Sequence, residues 1–350
     1  MKQPDVLNKK KVYPITNELN AYLEKYERIT KTRIFYEDLL RFQGSVVVYD
    51  KEGEDTLWLS VYYSESDRTE IEASLNKIYT LLHSDGDEST LPFLTVDAID
   101  FCTFGNSKPF RVKVRNILND NFTHFYIKKA DASRIYGLEL EHILSPNRIN
   151  FLVYKDTLIE EHIIGIPGDV FLKKNLPKCT EPEKAQIAKE FVKFNERCMV
   201  GLLGDMRSYN YVVIPIHDFD HVVYRIRAID FDQQSYEGNF KFYKPQFFAE
   251  NIKMVQLVSS KLLPNSIEQY KKEEHSLMVK RLVGSEKRLI DLLKAMKSDD
   301  ISPKENVILL RKEIFEFTRD LKYKNAETMG EIIEVTVNFL KRKYKSHLNY

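Results

Sequence analysis

Cysteine, tryptophan and long apolar stretches are all scarce in this chain of 350 residues, and each scarcity closes a route. The three cysteines, Cys102, Cys179 and Cys198, offer neither a pair at metal-ligand spacing nor an even disulfide framework. They read as reduced thiols, with Cys198 in the core face of a helix. No run of about 18 apolar residues occurs, so no membrane span is expected. Residues 1–15 lack an apolar core long enough for a secretory signal. Excess charge is lacking too: Lys plus Arg (53) nearly cancels Asp plus Glu (52). No global field therefore argues for nucleic acid or a membrane surface as partner. These absences lead to the expectation of a cytoplasmic, reducing location. What is present, 43% hydrophobic and 30% charged residues, is the balance of a globular protein long enough for more than one core.

Periodicity divides the chain. Residues 15–42 carry leucines and aromatics at three- and four-residue spacing and read as helical. SVVVYD and TLWLSVYY, around KEGED, read as a hairpin, and Thr69–His83 returns to helical spacing before the polar HSDGDEST. This is an α-β-β-α unit with no visible chemistry; the acidic loop lacks calcium-loop spacing. From residue 96 the texture turns to strands: AIDFCTF, RVKVRNIL and THFYIKKA, then a helix at SRIYGLELEHIL, then INFLVYK and TLIEEHIIG. A long amphipathic helix follows over about 182–200, then a hairpin YVVIPI-HDFD-HVVYRIRAIDFD, then helices from about residue 247. The HDFDH tip, with His217 and His221, reads as a polar turn, and Gln233 and Gln234 as solvent-facing loop residues.

The chemistry concentrates in Gly204-Asp205-Met206-Arg207-Ser208-Tyr209-Asn210 and in Ile229-Asp230-Phe231-Asp232. Phosphoryl transfer needs a carboxylate near the attacking hydroxyl and hard oxygen ligands for magnesium. An Asp and an Asn five residues apart on a tight loop, with a second Asp ending the neighbouring strand, have the right types and order. LLGDMRSYNYVV followed by RAIDFD resembles the catalytic and metal-binding loops of the protein-kinase-like superfamily, in the flavour of aminoglycoside and choline phosphotransferases. The resemblance covers roughly residues 100–245. It implies that Asp205 is the catalytic aspartate, assisted by Arg207, and that Asn210 and Asp230 hold Mg2+ or Mn2+. It further implies that Lys128, on the strand FYIKKAD, meets ATP phosphates and pairs with Glu139, or with Glu141, on the next helix. Gly105 would lie in the phosphate loop, and the backbone around Glu161–Ile163 would receive the adenine.

Departures accompany the resemblance. Gly105 is the lone glycine between the first two strands, Leu203 stands where His is common, and Gly137 interrupts the proposed glutamate helix. No activation segment with an Ala-Pro-Glu ending is found. The expected fold class is α+β: a two-lobed kinase-like fold with an N-terminal extension (1–95), an N-lobe (96–165) and a C-lobe (166–350) with a helical tail. The expected function is ATP- and Mg-dependent transfer of the terminal phosphate to a hydroxyl of an unidentified small molecule or protein. Two other functions fit the same residues. One is AMP transfer on this fold; the other is a pseudokinase scaffold that binds a protein partner through residues 1–95 or the C-terminal helices.

Overall fold

The computed structural model describes residues 10–218 and 221–344, with the backbone alone at 218 and 221. The chain forms two compact units, the first comprising residues up to Ala132 together with Asn150–His162, the second Ser133–Ile149 together with Ile163 onward.

The first unit is built on a seven-stranded sheet in the order β1-β2-β3-β4-β5-β7-β6. Its strands are β1 (Gly44–Tyr49), β2 (Asp55–Tyr62), β3 (Leu94–Cys102), β4 (Phe110–Asn116), β5 (Phe122–Lys129), β6 (Phe151–Tyr154) and β7 (Thr157–Glu161). Every neighbouring pair is antiparallel. Period-two alternation puts Phe110, Val112, Val114, Phe125 and Ile127 into one core. Helix α3 (Glu65–His83) covers that face with Ile71, Leu75 and Ile78. Ser64 caps the helix by accepting from the Asp67 amide.

Two expectations change here. Residues 1–95, expected as a separate extension, supply β1, β2 and α3 to the same sheet and core as β3–β5. The helical reading of 15–42 breaks into α1 (Asn17–Lys25) and the short α2 (Tyr36–Leu39). Between them Glu27 adopts φ +57° and Ile29 forms a parallel bridge to Val153. The Thr30 amide donates to the Val153 carbonyl at 3.0 Å. Here pairing to a strand edge overrides helical spacing.

The second unit holds α4 (Ala132–Leu144), apart from its first residue, and a three-stranded sheet in the order β10-β9-β8. The strands are β8 (Ile166–Pro167), β9 (Tyr211–Asp218) and β10 (His221–Ala228). The single turn α5 (Gly168–Val170) leads toward α6 (Glu181–Gly201), whose Thr180–Glu183 capping box satisfies two amides at its start. Cys198 is buried on α6, as expected. The remainder is helical: α7 (Ile252–Lys261), α8 (Pro264–Gly284), α9 (Glu286–Ser298), α10 (Lys304–Thr318) and α11 (Met329–Tyr344). Among the described residues, no helix is long and apolar enough to cross a membrane.

Candidate active site

The site is laid down by two loops of the second unit, joined by the β9–β10 hairpin. α6 ends on Leu202 in the left-handed region (φ +50°), which turns the chain into the Asp205 loop. Leu203 bridges to Gln234, the Ser235 amide donates to the Leu202 carbonyl at 2.8 Å, and the Gly204 amide to the Gln233 carbonyl at 3.3 Å. Glycine is required at 204, since a Cβ there would lie 2.7 Å from a Phe242 ring carbon and 2.9 Å from the Gln233 carbonyl.

Asp205 itself sits at φ +58°, a region in which Asp is several-fold enriched among non-glycine residues. The Asn210 amide nitrogen donates to the Asp205 carbonyl at 2.7 Å and reaches Asp205 Oδ2 at 3.5 Å. Its side-chain oxygen is engaged by no other group among the described residues. The Ile229 amide donates to the Asn210 carbonyl at 3.0 Å, so the strand leaving β10 delivers Asp230 beside Asn210.

Arg207 donates through Nε to Asp205 Oδ1 and through Nη1 to Glu250, both at 2.7 Å, over the Phe248 ring. Burial raises the Asp205 carboxyl above the usual range. Arg207 pulls against that shift, and Glu250 and Asp232 add to it. A carboxylate held ready to take a proton is what such an environment produces.

Arg134 on α4 is buried and was not anticipated from the sequence. Its Nη2 donates to Asp230 Oδ1 at 3.0 Å and its Nε to Asp232 Oδ1 at 2.7 Å. The Asp232 amide also donates to Asp230 Oδ1 at 3.0 Å. Gly137, a departure in the sequence, has a local reason: a Cβ would meet the Gln234 side chain at 3.1 Å. Gln234, expected to face solvent, is instead buried and donates to the Gly201 carbonyl at 2.6 Å and to Ser235 Oγ at 2.8 Å. Gln233 is half-buried, and its side-chain oxygen has no hydrogen-bond donor among the described residues.

The remaining candidates are placed as follows. Lys128 is buried in the first unit and donates to Glu160 Oε2 on β7 at 2.6 Å. Glu139, its expected partner, lies in the second unit, fully buried, with both oxygens accepting from Arg288 at 2.8 Å. Glu141, the other option, accepts from Asn147 Nδ2 at 3.3 Å. Gly105 occupies an exposed turn at φ +85° between β3 and β4. The Glu161 amide donates to the Asn150 carbonyl at 3.1 Å, and Ile163 opens the second segment of the other unit. The polar-turn reading of the HDFDH tip falls on residues 219–220, outside those described.

The Lys128–Glu160 pair is a diagonal contact set by the register of β5 on β7, in which Tyr126 stands opposite Glu160 and Lys128 opposite Leu158. Nothing local marks Arg134, which is 96 residues from Asp230. Compared with family models and with curated proteins, the chain matches none.

Proposed function

We propose that the second unit carries a kinase-like phosphotransferase centre using ATP and magnesium or manganese. The reading rests on one observation: Asn210 is tied through its side-chain nitrogen to the Asp205 carbonyl, leaving its side-chain oxygen as a hard donor, on a residue whose backbone carbonyl accepts from Ile229, the neighbour of Asp230. Asp205, Asn210 and Asp230 supply carboxylate and amide oxygens, the donor type that magnesium prefers. Bound metal would neutralise charge on the triphosphate, with Asn210 and Asp230 assigned to hold it.

Asp205 orients the acceptor hydroxyl and takes its proton as the oxygen attacks the terminal phosphorus, while the bond from that phosphorus to the bridging oxygen breaks and ADP leaves with its electron pair. Its raised proton affinity suits that role. Arg207 fixes one Asp205 oxygen and leaves the other toward Asn210. Lys128 is assigned to the nucleotide on the resemblance alone, and Lys128→Met tests it separately. The acceptor is a hydroxyl compound or a protein side chain.

The deciding experiment is thermal melting with ATP, with and without magnesium, on the wild type and on Asp230→Asn. A metal-dependent rise that the variant abolishes supports the reading, and its absence at millimolar nucleotide defeats it. A second reading, a scaffold on the same fold, draws support from Arg134, which already neutralises Asp230 and Asp232. In a scaffold no nucleotide shift occurs in either protein. Where turnover is found, intact mass of the product separates an added phosphate from an added AMP.

A further inference from the structure

The second unit contains a cavity of about 430 Å³ whose wall includes none of Asp205, Asn210 and Asp230. Its size lies within the range of small-molecule sites. One side is apolar, with Ile314 and Phe317 from α10 and Leu340 from α11. Lysines reach it from three segments: Lys244 from the loop after the 3-10 turn Phe240–Tyr243, Lys272 from α8 and Lys343 from α11.

The wall carboxylates are already committed. Glu268 pairs with Lys271 at 2.7 Å, and Glu196 bonds His275 Nε2 at 2.7 Å. Among the described residues, Lys244, Lys272 and Lys343 form no ion pair. Lys244 is the most telling of them. Its ammonium lies 4.0 Å from the Phe240 ring centroid and 4.4 Å from that of Phe317. Burial pulls its proton affinity below the ordinary lysine value. Glu196 and Glu313 act against that at longer range, and Lys241 and Lys271 act with it. A cation held by aromatic faces keeps its N–H groups for an incoming acceptor.

We propose that this cavity binds a small phosphomonoester with a compact apolar body. The phosphate would be met by Lys244, Lys272 and Lys343, and the body by Phe317, Ile314 and Leu340. A carboxylate would balance one ammonium, whereas a phosphomonoester brings roughly two negative charges and three acceptor oxygens at neutral pH.

The test is isothermal titration of the full chain with phenyl phosphate in EDTA, beside inorganic phosphate, benzoate and benzyl alcohol. Saturable binding of phenyl phosphate is expected, with inorganic phosphate and benzoate weaker and benzyl alcohol silent. Lys244→Gln should weaken phenyl phosphate by about tenfold or more, the scale of a lost charge-assisted hydrogen bond. Asp230→Asn should leave it unchanged. Phe317 is 61% exposed and packs its ring on Phe240, and Phe317→Leu should also bind more weakly. No binding at millimolar ligand, full affinity in a folded Lys244→Gln, or loss in Asp230→Asn each overturns the proposal. Should Lys244→Gln fail to fold, unchanged affinity in Phe317→Leu does so.

Discussion

Asp205 combines a left-handed backbone, a half-buried carboxylate and a guanidinium on one oxygen. Because its folded proton affinity is raised, ionisation at neutral pH opposes folding, and that opposition is relieved as pH falls through the raised folded value and is gone below the usual aspartate value. Asp205→Asn should therefore melt higher than the wild type at pH 7, with the gap closing on acidification. In the proposed chemistry the same change lowers turnover by about 10²–10⁴-fold, the scale of a lost general base. A variant that melts lower at pH 7 would contradict the burial account, and unchanged turnover would remove Asp205 from the chemistry. His124 shows the opposite sign. Burial, Arg111, His162 and Lys113 lower it to about 4. Neutral His124 then stabilises the fold above its ordinary value of about 6.5, and that contribution is lost as pH falls through about 4. Urea midpoints measured from pH 7 to pH 4 should fall more steeply for the wild type than for His124→Gln; parallel slopes would refute this.

Most elements were legible because each obeys its own period: β4 and β5 alternate, and α6 repeats with a cap at Thr180. Residues 26–35 were misread because their hydrogen bonds go to a strand distant in the chain. The order and spacing of Asp205, Asn210 and Asp230 were legible for the same local reason, being fixed by one loop and one hairpin. Arg134, Arg288 and Glu160 were not, since ion pairs between separate elements leave no spacing to read. Two packing tests follow. Gly168 opens α5, where a Cβ would lie 2.4 Å from the Ser208 carbonyl of the Asp205 loop. Gly168→Ala should cost about 1–3 kcal/mol by overpacking, read as a lower urea midpoint. Arg288→Ala removes the guanidinium from a fully buried Glu139 and should cost about 3–5 kcal/mol, with Glu139→Gln restoring part of it. Wild-type stability in either single variant would mean the local backbone or side chains yield more readily than the contacts imply.

The chain passes between its two units three times, after Ala132, Ile149 and His162. No single cut separates them. A chain of residues 163–350 lacks Ser133, Arg134, Tyr136 and Glu139, which bind Gln234, Asp230, Asp299 and Arg288. Such a fragment should show no cooperative melt in circular dichroism, whereas a transition at the full chain's temperature would make α4 dispensable. The same threading sets a timetable during synthesis. Glu139 leaves the ribosome 149 residues before Arg288. At about 5–20 residues per second the wait is roughly 7–30 s. Through that interval α4 exists without the helix that receives it, so the growing chain carries a charged, half-apolar segment that must be shielded until α9 is made.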